Sequence, residues 1–125
     1  MDIYREEFME IYKNPMNMGV IEKPSILEHG VNESCGDEMD LYLKIEDNKI
    51  IDARFKATSC SVGVVSSAIL TEEIRGMDLE EVKKLTKQRL LDLIGVNLTT
   101  SRIKCATLPL ETLMKGIENY ESIRK

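Results

Sequence analysis

The chain has three cysteines, each at a junction between predicted elements: Cys35 in Ser34-Cys35-Gly36-Asp37, Cys60 in Thr58-Ser59-Cys60-Ser61 and Cys105 in Lys104-Cys105-Ala106. A thiol used only for packing is usually a small buried hydrophobe inside an element, whereas one that binds metal or attacks sulfur needs access and surroundings that favour the thiolate. An odd count cannot be closed by internal disulfides, so metal ligation or thiol chemistry is the better reading. Gly36 frees the backbone between Cys35 and Asp37, which allows a thiolate and a carboxylate to point at one centre. Cys35, Asp37, Cys60 and Cys105 are therefore read as one candidate site. The cysteines lie far apart in sequence with no Cys-x-x-Cys knuckle, a spacing that fits no zinc ribbon or finger, so three unrelated thiols stand as the alternative.

The elements that must position these groups follow from periodicity. Asp2 to Lys13 reads as a helix with Tyr4, Phe8, Ile11 and Tyr12 on one face, ended by Asn14-Pro15. Ser25 to Val31 is a weak strand. Leu41, Leu43 and Ile45 alternate with Asp40, Tyr42, Lys44 and Glu46, and after a turn at Asp47-Asn48 Ile51, Ala53, Phe55 and Ala57 alternate with Asp52, Arg54 and Lys56. These two runs predict an antiparallel hairpin with one apolar face. After Cys60 the period changes: Val62, Val65 and Ile69 predict a helix running to about Arg75 and stopping at Gly76. Asp78 and Glu81 form a capping-box pattern with Met77 and Val82 as its staple, and Thr86 caps a short helix that ends at Gly95. Leu110, Leu113, Met114, Ile117 and Tyr120 predict a final helix. Proline is tolerated in a first turn and disruptive further in, so Pro109 places the start of that helix close to Cys105. On this reading Cys60 and Cys105 both lie at helix N-termini, where the dipole stabilises a thiolate. The expected fold class is α+β, a small three-stranded antiparallel sheet with helices packed on one face.

Composition narrows the function. A chain of 125 residues with 42% hydrophobic content can bury one core but not two, so one domain over residues 1–125 is expected. The net charge of −5 and the dispersal of Lys and Arg among acids argue against nucleic acid, and with no Trp there is little for bases to stack on. The longest apolar run, Val62 to Leu70, is interrupted by Gly63, Ser66 and Ser67 and does not suggest a membrane span. The acidic start Asp2-Ile3-Tyr4-Arg5-Glu6-Glu7 is unlike a signal peptide, and a cytoplasmic location is expected. His29, the only histidine, is read as a surface or half-buried strand residue. Glu72-Glu73 and Glu80-Glu81 are read as solvated helix faces. Ser66 and Ser67 lack a histidine base, which removes a serine hydrolase.

Several segments taken in order resemble the IscU/NifU-like iron-sulfur cluster assembly scaffolds: Asn14-Pro15-Met16-Asn17-Met18-Gly19, Cys35-Gly36-Asp37, Asp52-Ala53-Arg54-Phe55-Lys56 leading to Cys60, Ser66-Ser67, Gly76 and Lys104-Cys105-Ala106-Thr107-Leu108. The resemblance implies that Cys35, Cys60 and Cys105 are thiolate ligands and that Asp37 is the fourth ligand or its gate. They would hold a [2Fe-2S] cluster, or a zinc ion. It further implies sulfur supplied by a cysteine desulfurase, Cys105 as the sulfur acceptor, and delivery to apo iron-sulfur acceptor proteins or carriers, by a platform rather than a turnover enzyme. A homodimer is compatible with this. The first helix, near Ile3, Tyr4 and Phe8, is by resemblance a docking surface for the desulfurase, with core packing as the plain alternative. One harder carboxylate oxygen among soft thiolates would ease cluster release.

Two segments depart from the scaffold pattern. Where many such scaffolds carry His before the third cysteine, this chain has Lys104, whose ammonium has no lone pair for a metal. Lys104 is either a solvated surface lysine or a charge that lowers the pKa of Cys105 and activates its thiolate. Arg102-Ile103-Lys104-Cys105-Ala106 is similar to the SufU branch, whose members bind zinc and relay sulfur, although the insert usual in that branch before the third cysteine is missing. In Leu98-Thr99-Thr100-Ser101-Arg102 both prolines of the scaffolds' chaperone-docking stretch are absent, so docking of a dedicated Hsp70 chaperone there is not expected. The alternative functions are a zinc-bound sulfur-transfer protein using the same four residues, and a small interaction domain with structural zinc.

Overall fold

The computed structural model describes residues 3–33, 36–95 and 98–124, without the side chains of Ile3, Tyr4, Ser101 and Arg124. Strands β1 (Ile26–Asn32), β2 (Asp37–Glu46) and β3 (Lys49–Thr58) form one antiparallel sheet in the order β1-β2-β3. Helix α1 (Ile3–Lys13) precedes the sheet, and α2 (Ser61–Ile74), α3 (Leu79–Lys83), α4 (Lys87–Ile94) and α5 (Thr100–Arg124) follow it. The strand alternation has the expected consequence. Met39, Leu41, Leu43 and Ile45 of β2 are buried with Ala53 and Phe55 of β3 against α2 and α5, while Glu38 and Lys56 face outward. Each large side chain buried in this way contributes about 1.5–3 kcal/mol relative to exposure. No described helix is long and apolar enough to cross a membrane.

The turn between β2 and β3 is formed by Asp47 and Asn48, both with positive φ (51° and 64°). Two such residues give a hairpin turn whose twist matches that of the strands. One detail of the hairpin differs from the alternation expected. Ile50 is fully buried and Ile51 is half exposed, because the pairing shifts between Lys44 and Ile45, so that Ile45 faces Ile50 and Lys44 faces Asp52. A bulged residue resets the side-chain alternation, and Ile51 is the residue displaced.

The helix starts are set locally. Asp78 and Glu81 form the full capping box: the Glu81 amide donates to the Asp78 carboxylate at 2.9 Å and the Asp78 amide to the Glu81 side chain at 3.4 Å. The Arg89 amide donates to the Thr86 hydroxyl at 3.1 Å. The last helix is where the expectation fails. Helix α5 begins at Thr100, where the Arg102 amide donates to the Thr99 hydroxyl and the Ile103 amide to the Thr99 carbonyl. Threonine caps a helix, and with no proline in this stretch nothing delays its start. Pro109 therefore lies in the third turn and Cys105 in the second, not at the N-terminus. Pro109 cannot donate to the Cys105 carbonyl one turn back. The helix nevertheless continues, and the Ser66 hydroxyl of α2 donates to the neighbouring Ala106 carbonyl.

Candidate metal and sulfur site

Three elements converge at one end of the sheet. Asp37 is the first residue of β2, and the chain leaves β3 at Thr58 directly opposite Glu38, which puts Ser59 and Cys60 beside Asp37. Cys105 reaches the same place from α5. The Asp37 carboxylate and the sulfurs of Cys60 and Cys105 offer ligand atoms that all lie within 4.8 Å of one another. Of the four residues grouped from the sequence, these three are brought together. Cys35 lies outside the described residues. Gly36, between it and Asp37, has φ of +75° and open space where a Cβ would be, so the backbone turns there in a conformation that glycine adopts at no steric cost.

Asp37 is 4% exposed. Its Oδ1 accepts a hydrogen bond from the Ser59 hydroxyl at 3.1 Å, while Oδ2 is buried with no hydrogen-bond partner. Leaving a buried carboxylate oxygen unmatched costs free energy, and a carboxylate in that state beside two sulfurs is suited to a cation. Two soft sulfur donors with one oxygen fit zinc or an iron-sulfur centre. The residues therefore fit the group that the sequence implies.

The two thiols differ. Cys60 is partly exposed and stands at the N-cap of α2. Its pKa lies below the ordinary thiol value. Burial opposes this, but the Gly63 amide at the helix start, the Cys105 side chain, the Val62 amide and the charge of Arg102 outweigh it. Cys105 is buried, and its thiol is pushed well up, first by burial and then by the Asp37 carboxylate and the Cys60 sulfur beside it. Cys60 thus bears out the helix-start argument, and Cys105, inside α5, does not.

A positive charge that acts on Cys60 is that of Arg102, a residue without a sequence-derived role. Residues three apart on a helix share a face, so Arg102 lies on the Cys105 side of α5, and that spacing was the available signal. Lys104, the next-door residue, projects elsewhere: it is exposed and lines an open groove with Asn32, Lys87 and Glu111. The structure does not bring it to the thiols. Ser59 is the other contact without a sequence-derived role.

The remaining candidates are placed as surface or structure. His29 is exposed on the outer sheet face, with Nδ1 2.7 Å from Asp40 and Nε2 3.5 Å from Glu38. Glu72 and Glu73 pair with different arginines, Arg75 and Arg89, and Glu80 pairs with Lys83. Ser66 and Ser67 are buried and donate to helix carbonyls. Phe8 packs against the core. The side chains of Ile3 and Tyr4, the rest of the supposed docking surface, lie outside those described.

Comparison with known proteins agrees with this geometry. The family described as the NifU-like N terminal domain matches residues 3–125. The chain is 32% identical over 136 residues to the zinc-dependent sulfurtransferase SufU of Bacillus subtilis, covering 95% of this chain and 92% of that protein. It is 30% identical over 118 residues to the iron-sulfur cluster assembly scaffold protein IscU 1 of Archaeoglobus fulgidus, covering 94% of this chain and 76% of that one. The crystal structure of a NifU-like protein (N-terminal) from Brucella abortus superposes with a TM-score of 0.79 at 19% identity, covering 96% of this chain and 95% of that one, a likeness of fold.

Proposed function

The chain belongs to the NifU-like N-terminal domain family, and from that premise we propose that it is an iron-sulfur cluster assembly scaffold. Sulfur comes from a cysteine desulfurase, a [2Fe-2S] cluster is built as cargo between Cys35, Asp37, Cys60 and Cys105, and it passes to apo acceptor proteins. In this reading residues 1–125 act as one domain in the reducing cytoplasm, where free thiols persist. The observation that carries the proposal is the buried Asp37 carboxylate, which offers an oxygen within 4.8 Å of two sulfurs and has one oxygen without a hydrogen-bond partner. Asp37 sits at a strand end, so this hard oxygen donor can leave the soft cargo without disturbing the core.

A second reading, zinc-bound sulfur transfer, is favoured by one feature of the same site. Cys105, the acceptor nominated by the sequence, holds its proton when no metal is present. Bound zinc would supply the positive charge that removes this proton and holds both sulfurs as thiolates. The Cys105 thiolate could then attack the outer sulfur of a desulfurase persulfide, forming a new S–S bond on Cys105 as the old one breaks and the desulfurase cysteine leaves as a thiolate, with Cys35, Cys60 and Asp37 as the other zinc ligands.

Anaerobic purification with iron, sulfide and zinc analysis and a visible spectrum separates the readings. Iron and sulfide at about two each per chain or per dimer, with charge-transfer bands, support the scaffold. Tightly held zinc without sulfide, with label taken up from a desulfurase persulfide, supports sulfur transfer. Zinc with no uptake of label overturns both and leaves a structural site. For the scaffold, Asp37→Ala is expected to slow transfer of the cluster to an acceptor; release as fast as in the parent would remove Asp37 from that role.

A further inference from the structure

The Ser59 hydroxyl donates to Oδ1 of Asp37 at 3.1 Å, while Oδ2 has no hydrogen-bond partner. The space that this hydroxyl occupies exists because residue 63 is glycine. A Cβ at position 63 would overlap the Ser59 hydroxyl and come within 2.8 Å of the Ser59 Cβ, while the Cys105 carbonyl would lie at 3.9 Å. Gly63 lies in the first turn of α2, where its missing side chain has no local purpose, since glycine weakens a helix. Ser59 and Gly63 thus form a matched pair, one filling the room that the other leaves, at the entry to the helix that presents Cys60.

We propose that Ser59 is a positioning residue for the metal site. By holding Oδ1 it fixes the orientation of the carboxylate beside Cys60 and Cys105, and Gly63 makes that arrangement sterically possible. Without Ser59 the Asp37 side chain can rotate, and the site loses a preset oxygen donor although all its ligands remain. This rests on the reading of Asp37 as a ligand. It adds a residue that acts through Asp37 and a glycine whose role is to admit it.

The test is zinc affinity of the full chain, measured by competition with a chromophoric chelator, together with the visible spectrum of the cobalt-loaded protein. Partners behind metal ligands typically contribute about 10–100-fold in affinity. Ser59→Ala is expected to weaken zinc binding by about tenfold and to shift the cobalt d–d bands while keeping the sulfur-to-metal charge-transfer intensity. In an Asp37→Ala background the same substitution should have no further effect. Gly63→Ala should reproduce the Ser59→Ala spectrum, and in a Ser59→Gly background it should change nothing more. Failure of the parent to bind zinc or cobalt would overturn the reading of the site itself. A parent that binds, with Ser59→Ala indistinguishable from it or equally damaging without Asp37, would overturn the positioning role alone. Thermal unfolding of the metal-free variants shows whether a change in affinity reflects loss of the fold, and a Ser59→Ala protein that unfolds with the parent yet binds weakly supports the proposal.

Discussion

Asp37 and Glu38 are consecutive residues of β2 and belong to two ionisable clusters with opposite characters. On the inner face the buried Asp37 meets Cys60 and Cys105, with one carboxylate oxygen unmatched. On the outer face Glu38 and Asp40 flank His29 in the open, with both ring nitrogens engaged. The residue types of the outer cluster are the more familiar metal ligands, yet its two carboxylates sit on opposite sides of the ring, each satisfied by the histidine. The inner cluster brings its ligand atoms within 4.8 Å of one another and leaves one carboxylate oxygen without a hydrogen bond. Strand alternation alone separates a place where charge is neutralised in water from one where it must be neutralised by a ligand.

The largest expected effect tests that separation directly. Zinc bound by four protein ligands is held by about 10–16 kcal/mol, so Cys60→Ser should weaken zinc affinity by roughly a hundredfold, about 3 kcal/mol for one ligand. His29→Gln should leave it unchanged. Chelator competition on both variants makes the comparison, and a loss in His29→Gln with none in Cys60→Ser would mean that the outer cluster and not the inner one holds the ion.

A smaller effect distinguishes the two thiols within the inner cluster. In metal-free protein at neutral pH the lowered pKa of Cys60 and the raised pKa of Cys105 give Cys60 the larger thiolate population. Iodoacetamide followed by peptide mass spectrometry should find Cys60 modified faster than Cys105. Raising the pH toward the ordinary thiol range should speed Cys60 first, and Cys105 should lag. Faster modification of Cys105 would reverse the assignment of charge in the pair.

Much of this arrangement was legible in the sequence, and the failures have identifiable causes. The hairpin, the helix after Cys60 and the caps at Asp78 and Thr86 are local events, decided by alternation, turn residues and short-range hydrogen bonds. Ile51 was misplaced because a one-residue bulge resets alternation, and an Ile50-Ile51 pair reads equally well in either register. Cys105 was misplaced because Pro109 was allowed to set the helix start, whereas the Thr99 cap acts earlier and the continuing helix tolerates the proline. The grouping of Cys60, Cys105 and Asp37 came from their chemistry and the ordered resemblance. The Ser59 contact, by contrast, needs Gly63 a turn away and Asp37 across the sheet, and no linear spacing reveals it.

The smallest expected effect concerns the outer cluster and fixes its character. The pKa of His29 is raised, chiefly by its hydrogen bond to Asp40; desolvation opposes this, and the charges of Asp40 and Glu38 add to the rise. A histidine whose folded pKa exceeds its unfolded value stabilises the fold fully below the unfolded value of 6.5, and that contribution disappears as pH rises through the folded pKa. Because the group is exposed and screened, the thermal midpoint should fall only slightly across this window, and His29→Gln should abolish the slope. An NMR titration of the imidazole should place its pKa above 6.5, and Asp40→Asn should bring it back toward that value. A ring titrating at or below 6.5 would show that the outer carboxylates do not hold the proton, and the contrast with the inner cluster would then lie in burial alone.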